Sequence, residues 1–256
     1  MGGLIEMIKI IAFSDPHGQL PVITEKFDLM LICGDICPAR NHYDEYQRNW
    51  LSTVFAGWVM GLPFANKDSK VIFIGGNHDC YLDHEPNPNR GDYSSIYTDI
   101  LKPCGGRLIY LEDDEYIFEK ETEDGKVESL KIYGTPWCKV FGRWWFMRDD
   151  KKLEMIYDNI PEGLDILMTH DAPAIQGHGK IMLGPWAGED AGNKILAKAI
   201  KKKEPKLVVY GHIHSSSHSL SKTYKKDTKL RCVSILDEDY YQLYEPWSFE
   251  MEGHTE

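Results

Sequence analysis

The sequence predicts an α/β protein, with one mixed sheet or two sheets packed face to face and helices on the outside. Two patterns point there. In the first third, short apolar runs alternate with a helix-period segment, which favours parallel strands. Further on, strand patterns follow one another closely, which favours antiparallel edges. The 256 residues are 42% apolar and 27% charged, the balance of a folded chain with a sizeable core. Neither a linker nor an internal repeat divides them, so a single domain over residues 1–256 is expected.

Ile8–Phe13 and Leu29–Cys33 read as buried strands, each followed closely by Gly or Asp. A helix comes next, in which Tyr46, Trp50, Val54, Phe55, Trp58 and Val59 recur at three- and four-residue spacing. Val71–Ile74 is the third strand. Glu85–Asp92 is rich in Pro, Asn and Gly and reads as a surface loop; its Arg90-Gly91-Asp92 resembles an integrin tripeptide only by accident. Leu108–Leu111, Tyr116–Glu119 and Val127–Tyr133 are close-set strands, the last two joined across Glu123-Asp124-Gly125. Leu164–Met168 is a further buried strand. Ala191–Lys203 is an amphipathic helix with Ile195, Leu196, Ala199 and Ile200 on one side; Pro205 stops it and the strand Leu207–Tyr210 follows. Leu230–Leu236 and Tyr240–Tyr244 read as a terminal hairpin turning at Asp237-Glu238-Asp239.

Charge narrows the function. Lysine and arginine number 29 against 40 aspartates and glutamates, a net charge of −11. Such a chain repels DNA and anionic lipid over most of its surface, which disfavours a nuclease or any nonspecific polyanion binder. A local phosphate site stays open if metal ions supply the positive charge. The cysteines Cys33, Cys37, Cys80, Cys104, Cys138 and Cys232 are scattered without a CxxC pair, and free thiols in a reducing compartment are expected. The first residues lack a basic leader and a cleavage site, Glu6 breaks the myristoylation pattern after Gly2, and no apolar run reaches the roughly 18 residues of a membrane span. A cytoplasmic protein without membrane contact is expected.

The chemistry sits after the strands. Ile8–Phe13 is followed by Asp15-Pro16-His17-Gly18, Leu29–Cys33 by Gly34-Asp35, and Val71–Ile74 by Gly75-Gly76-Asn77-His78-Asp79. Leu164–Met168 is followed by Thr169-His170-Asp171, and Leu207–Tyr210 by Gly211-His212-Ile213-His214. Ligands of open α/β sheets bind outside the carboxyl ends of the strands. Any one of these residues alone reads as a turn former or a hydrogen-bonded structural histidine. Together, five of the ten histidines fall in strand-end motifs. Asp15, His17, Asp35, Asn77, His170, His212 and His214 make seven oxygen and nitrogen donors, and one bridging carboxylate lets them serve two divalent ions. Manganese, iron, zinc, cobalt and nickel all suit such donors, with manganese the choice for work in vitro. Two ions roughly 3.5–4 Å apart are a device for phosphoryl chemistry.

The order Asp-x-His, Gly-Asp, Gly-Asn-His-Asp, a solitary His and Gly-His-x-His, from Asp15 to His214, resembles the calcineurin-like metallophosphoesterase superfamily. Tyr133-Gly134-Thr135-Pro136-Trp137, Trp144-Trp145-Phe146 and Pro205-Lys206-Leu207 are similar to its metallophosphoesterase-domain-containing branch, which is associated with phosphodiester hydrolysis, cyclic nucleotides included. The resemblance implies a four-layer α/β/β/α sandwich with two mixed sheets. It implies that one metal takes Asp15, His17, Asp35 and His214 while the other takes Asp35, Asn77, His170 and His212, with Asp35 the bridge. His78 then faces the substrate and Asp79 is expected to orient it. Gly75 and Gly76 let the backbone turn so that Asn77 and His78 point inward.

Protein phosphatases of this superfamily continue the second motif as Gly-Asp-x-x-Asp-Arg, whereas here Gly34-Asp35-Ile36-Cys37-Pro38-Ala39-Arg40 lacks the second Asp and has its Arg one place later. That argues against a phosphoprotein phosphatase and leaves Arg40 as either a phosphate contact or an ordinary loop arginine. Trp137, Phe141, Trp144, Trp145 and Phe146 either wall a substrate pocket or pack as core. Asn41 and His42, which follow the bridging motif, are lesser candidates to reach the cleft, as is the loop Gly177-His178-Gly179 after His170; Cys80 reads as packing. Lys222, Lys225, Lys226 and Lys229 read as a solvated hairpin face. The expected activity is hydrolysis of a small phosphate ester or nucleotide, a diester before a monoester. A hydroxide bridging the metals attacks phosphorus in line and His78 serves the leaving group. A phosphomonoesterase or nucleotide pyrophosphohydrolase on the same metals is the alternative, and a scaffold protein with no activity ranks last because the ligand set is complete.

Overall fold

A computed structural model of the chain describes residues 7–83, 93–222 and 227–255. Gly2, Glu6, the loop Glu85–Asp92 with its Arg90-Gly91-Asp92, and Lys225 and Lys226 of the basic run lie outside the described residues. The chain begins with strands β1 (Met7–Phe13) and β2 (Leu29–Cys33), then helix α1 (Asp44–Trp50), which runs through a π-helical turn, Leu51–Phe55, into α2 (Ala56–Met60). Strand β3 (Lys70–Ile74), the short helix α3 (Tyr93–Ile96), and strands β4 (Leu108–Tyr110), β5 (Asp114–Glu121), β6 (Val127–Thr135), β7 (Cys138–Lys139) and β8 (Met147–Arg148) follow. After them come α4 (Asp150–Asp158), β9 (Ile166–Thr169), α5 (Lys194–Lys203), β10 (Leu207–Tyr210), β11 (Ser221–Lys222), β12 (Lys229–Cys232), β13 (Trp247–Glu252) and β14 (His254–Thr255).

Two mixed sheets form. In the first, β1 to β4 run parallel in sequence order and β13 closes the edge antiparallel to β1. In the second, β6, β9, β10 and β12 are parallel, with β5, β11 and β14 added antiparallel. Period-2 alternation decides what each face meets. Ile8, Ile10 and Ala12 of β1 bury against Ile132, Ile166 and Val209 of the second sheet. Ile11 and Phe13 turn the other way, into the core that holds Phe55, with the Phe13 and Trp58 rings 6.0 Å apart. Leu153 and Tyr157 of α4 and Leu196 and Ile200 of α5 cover the far face, where Leu167 and Val208 lie. The result is the expected α/β/β/α sandwich. Among the described residues no helix is long and apolar enough to cross a membrane.

Most expected strands hold to within two residues, and the differences have local causes. The π-helical turn inserts one residue into the 44–60 helix. A regular helical wheel drawn across it puts Val54 inside, yet Val54 is exposed and Leu51 is buried in its place. The expected terminal hairpin is corrected. Only Leu236 and Gln242 make an antiparallel bridge, and Tyr240–Tyr244 is no strand. The chain leaves the second sheet after Cys232 and spends its backbone groups on the first: Ser14 N donates to Val233 O at 2.8 Å and Ile235 N to Ser14 O at 3.0 Å. Besides the short elements α3, β7, β8, β11 and β14, the sequence reading lacks two longer ones, α4 and β13. Helix α4 is capped by Asp149, whose side chain accepts from Lys152 N, and buries Leu153 and Tyr157 one turn apart. Strand β13 alternates Trp247, Phe249 and Met251 toward the core with Ser248, Glu250 and Glu252 outward.

Phe118 of β5 is buried in the layer between the sheets. Phe118→Ala is therefore expected to cost about 3–5 kcal/mol of unfolding free energy in urea titration. A loss no larger than that of an exposed-site substitution would show that this layer does not hold the sheets together.

Candidate metal centre

Every nominated donor lies just beyond a parallel strand, and the two sheets bring these ends to one place. The backbone there is strained in a concerted way: Asp15, His17, Asp35 and His212 adopt left-handed φ values of 55°, 44°, 51° and 68°. Each such conformation in a residue other than glycine costs of order 1–3 kcal/mol unless its surroundings enforce it. They do. Asp15 N donates to Gly34 O at 3.1 Å, His17 N to Asp35 O at 3.0 Å and Gly18 N to Ile36 O at 2.9 Å, so the loops after β1 and β2 ladder together. Gly211 N donates to His170 O at 3.1 Å, pairing the loops after β9 and β10.

Two clusters result, sharing Asp35. In the first, Asp15, His17 and His214 converge: Nε2 of His17 lies 3.3 Å from Nε2 of His214 and 3.6 Å from Oδ2 of Asp35, while Nε2 of His214 is 3.6 Å from Oδ1 of Asp15. The Asp15 carboxylate is fixed by Ser234 Oγ at 2.6 Å and by the backbone N–H of His212 at 3.1 Å. In the second, Nε2 of His170 faces Oδ1 of Asn77 at 3.1 Å and Oδ1 of Asp35 at 3.4 Å. The His170 and His212 ring centres are 5.2 Å apart, and Cys138 joins the pair as a third possible donor that the sequence reading took only for a free thiol.

The tautomers of two histidines follow from their anchors. His170 donates Nδ1–H to Cys33 O at 2.8 Å and His214 donates Nδ1–H to Asp237 O at 2.7 Å; a carbonyl only accepts, so both neutral rings present an Nε2 lone pair to the interior. Those lone pairs look onto other acceptors: a second imidazole nitrogen, an amide oxygen and carboxylates. Such a convergence suits cations, and the residues fit two divalent ions, one that Asp15, His17, Asp35 and His214 would hold and one that Asp35, Asn77, His170 and His212 would hold. The charges of the site express the same demand. Burial depresses His170, yet Asp35 and Asp15 outweigh it and push the ring up to about 10, a proton standing in for the cation. Burial raises Asp35, but His170 and His78 hold it well below the usual carboxylate range. His17 is driven well down by burial and the neighbouring rings, and His212 to about 3 by burial and His170. The Nδ1 of His17 is buried with no hydrogen-bond partner.

Close approach explains two glycines. A Cβ on Gly76 would sit on the backbone N and Oδ1 of Asp35, and one on Gly211 would overlap Ser14 Oγ and the Asp15 carboxylate.

The expected role of Asp79 is corrected. Its oxygens accept from the backbone N–H groups of Ile36 at 3.2 Å, Cys37 at 2.8 Å and Gly76 at 2.9 Å, and it does not reach the His78 ring. A carboxylate so engaged staples the β2 loop to the β3 loop. Burial and the charge of Asp35 raise it to about 6 against those donors. The His78 ring pairs instead through its Nδ1 with Nε2 of His42 at 2.9 Å.

Beside His17 and His78 opens a cleft of about 650 Å³, lined also by Arg40, Asn41, Tyr46, Trp144, Asp239, Tyr240 and Tyr241. The aromatic run divides. Trp137 and Phe146 are buried core, with Trp137 Nε1 donating to Asp113. Trp144 lies over His78 at 4.5 Å, Phe141 over His212 at 5.0 Å, and Trp145 stacks on His42. His178 does not line the cleft: it is buried against the Tyr210 hydroxyl and Ser221 Oγ, and burial lowers it to about 4. Cys80 is buried, and Lys229 is exposed. Sequence reasoning missed Ser234, Tyr240, Tyr241 and the buried Gln47, none of which belongs to a strand-end motif.

The adjacent clusters at the strand ends define a candidate metal centre in an α/β/β/α sandwich. The family model for calcineurin-like phosphoesterases matches residues 8–216, and the chain belongs to that family. It is 30% identical over 226 residues to human metallophosphoesterase domain-containing protein 1, covering 80% of this chain and 60% of that protein. It is 29% identical over 270 residues to a UPF0046 protein of Caenorhabditis elegans, covering 96% and 61%. The chain thus spans about three fifths of the length of these relatives. The phosphopantetheinyl hydrolase of Mycobacterium tuberculosis superposes with a TM-score of 0.51 over 95% of each chain at 14% identity, a likeness of fold alone.

Asp35→Asn keeps an acceptor for the His78 N–H but loses the charge that both clusters share. Metal analysis after reconstitution with Mn²⁺ should find at least one ion per chain missing; a fully loaded and active variant would remove Asp35 from the shared position.

Proposed function

We propose that the protein is a dinuclear-metal phosphoesterase acting on a small phosphodiester. The observation that carries this reading is the shared carboxylate: Oδ2 of Asp35 faces the cluster with His17 and Oδ1 faces His170, so one residue serves two adjacent cation positions. Bound divalent ions would neutralise charge growing on the phosphoryl oxygens and make water acidic enough to act near neutral pH.

The chain's own residues do the rest. His78 lines the cleft with Nδ1 engaged by His42, which leaves Nε2 to hydrogen bond the departing oxygen. Arg40 is the only lysine or arginine among the described residues lining the cleft, which Asp239 also lines. One cation suits the single charge of a diester better than the two of a monoester. Trp144, Tyr240 and Tyr241 offer ring faces to an organic substituent, which supports a nucleotide or aryl ester. The six buried free cysteines support a reducing, cytoplasmic setting.

The test is to strip the protein of metal, restore Mn²⁺ and compare a chromogenic phosphodiester with the matching monoester. Diester hydrolysis that returns with metal is expected; preference for the monoester would make the protein a phosphatase. His78→Ala should keep its metal content and lose about 10²–10⁴-fold in turnover. A variant that loses metal instead would make His78 a ligand.

A further inference from the structure

We propose that His42 is the positioning residue for His78, its Nε2 holding Nδ1 of His78 at 2.9 Å and so fixing which ring nitrogen faces the cleft. The proposal deepens the phosphoesterase reading and rests on it for the role of His78. The carboxylate next to His78 in sequence is committed to backbone N–H groups, and His42 is the only side chain among the described residues that hydrogen bonds the His78 ring.

His42 is itself held in place. Its ring stacks on Trp145 at 5.3 Å and 25° and meets the edge of Trp144 at 5.3 Å and 70°. Trp145 N donates to Asn77 O at 3.3 Å, tying that slot to the loop that carries His78. From the opposite side the buried amide of Gln47 donates to Asn41 O at 3.2 Å and to His78 O at 2.7 Å, and accepts from Tyr81 N at 3.1 Å. One side chain therefore latches the backbone beside each member of the pair. Two neutral imidazoles joined N to N share one proton. With His42 donating its Nε2–H, Nδ1 of His78 accepts and the His78 proton sits on Nε2, where a leaving oxygen can take it; the opposite arrangement would leave Nε2 bare.

Two variants separate hydrogen bonding from packing. His42→Phe keeps a ring against Trp145 and removes the nitrogen; His42→Gln places an amide near the position of Nε2. With Mn²⁺ restored and metal content checked, His42→Phe should lower kcat by about 10–100-fold with little change in KM, and His42→Gln should recover much of the loss. Ring-nitrogen NMR of ¹⁵N-histidine protein should show one His78 tautomer in the native chain and a mixture in His42→Phe. Native kcat in His42→Phe, or an equal loss in both variants, overturns the proposal, as does an unchanged His78 spectrum. If the native protein cleaves neither ester, the phosphoesterase reading fails, while the spectrum still decides whether His42 sets the His78 ring.

Discussion

A buried convergence of electron-pair acceptors organises this molecule. Carboxylates of Asp15 and Asp35, the amide oxygen of Asn77 and the inward Nε2 atoms of His170 and His214 face one another, and the anchors on Cys33 O and Asp237 O are what turn those Nε2 atoms inward. So many acceptors gathered in one buried place suit divalent cations, which is why the arrangement reads as a candidate metal centre. The strained backbone at Asp15, His17, Asp35 and His212 is what aims these atoms, and the hydrogen bonds between strand-end loops are what hold the strain.

The sandwich supplies the rigidity this needs. Each sheet alone delivers only part of the donor set: Asp15, His17, Asp35 and Asn77 follow strands of the first, His170, His212 and His214 strands of the second. The apolar layer between the sheets fixes their spacing, and the contact of Ser14 with Val233 and Ile235 sews them at the metal end. Asp79 performs the same service between the loops of β2 and β3. Its charge is kept from the reacting groups and spent on backbone, which leaves the neutral His42 beside His78.

The strands and donors were legible because both depend on local pattern. An apolar run ending in Gly, Asp or His states its strand and its rim residue together, and Leu29–Cys33 and Leu207–Tyr210 fall as expected to the residue. What escaped depends on partners distant in sequence. The His42–His78 bond joins residues 36 apart and has no periodic signature. The 230–244 region reads as a hairpin by composition, and only the demand of Ser14 for backbone partners shows why it is not one. Residue 54 misleads because a π-helical turn shifts the wheel invisibly. Strand β13 was written plainly in Trp247, Phe249 and Met251, an alternation the sequence reading passed over.

The family match ends at residue 216, yet Ser234 fixes the Asp15 carboxylate and Asp237 O orients His214. All seven donor side chains precede those two supports in the chain. A polypeptide emerging from the ribosome therefore presents all seven candidate donors before the two groups that aim Asp15 and His214. The final shaping of the donor set waits on the returning segment that leads into β13 beside β1.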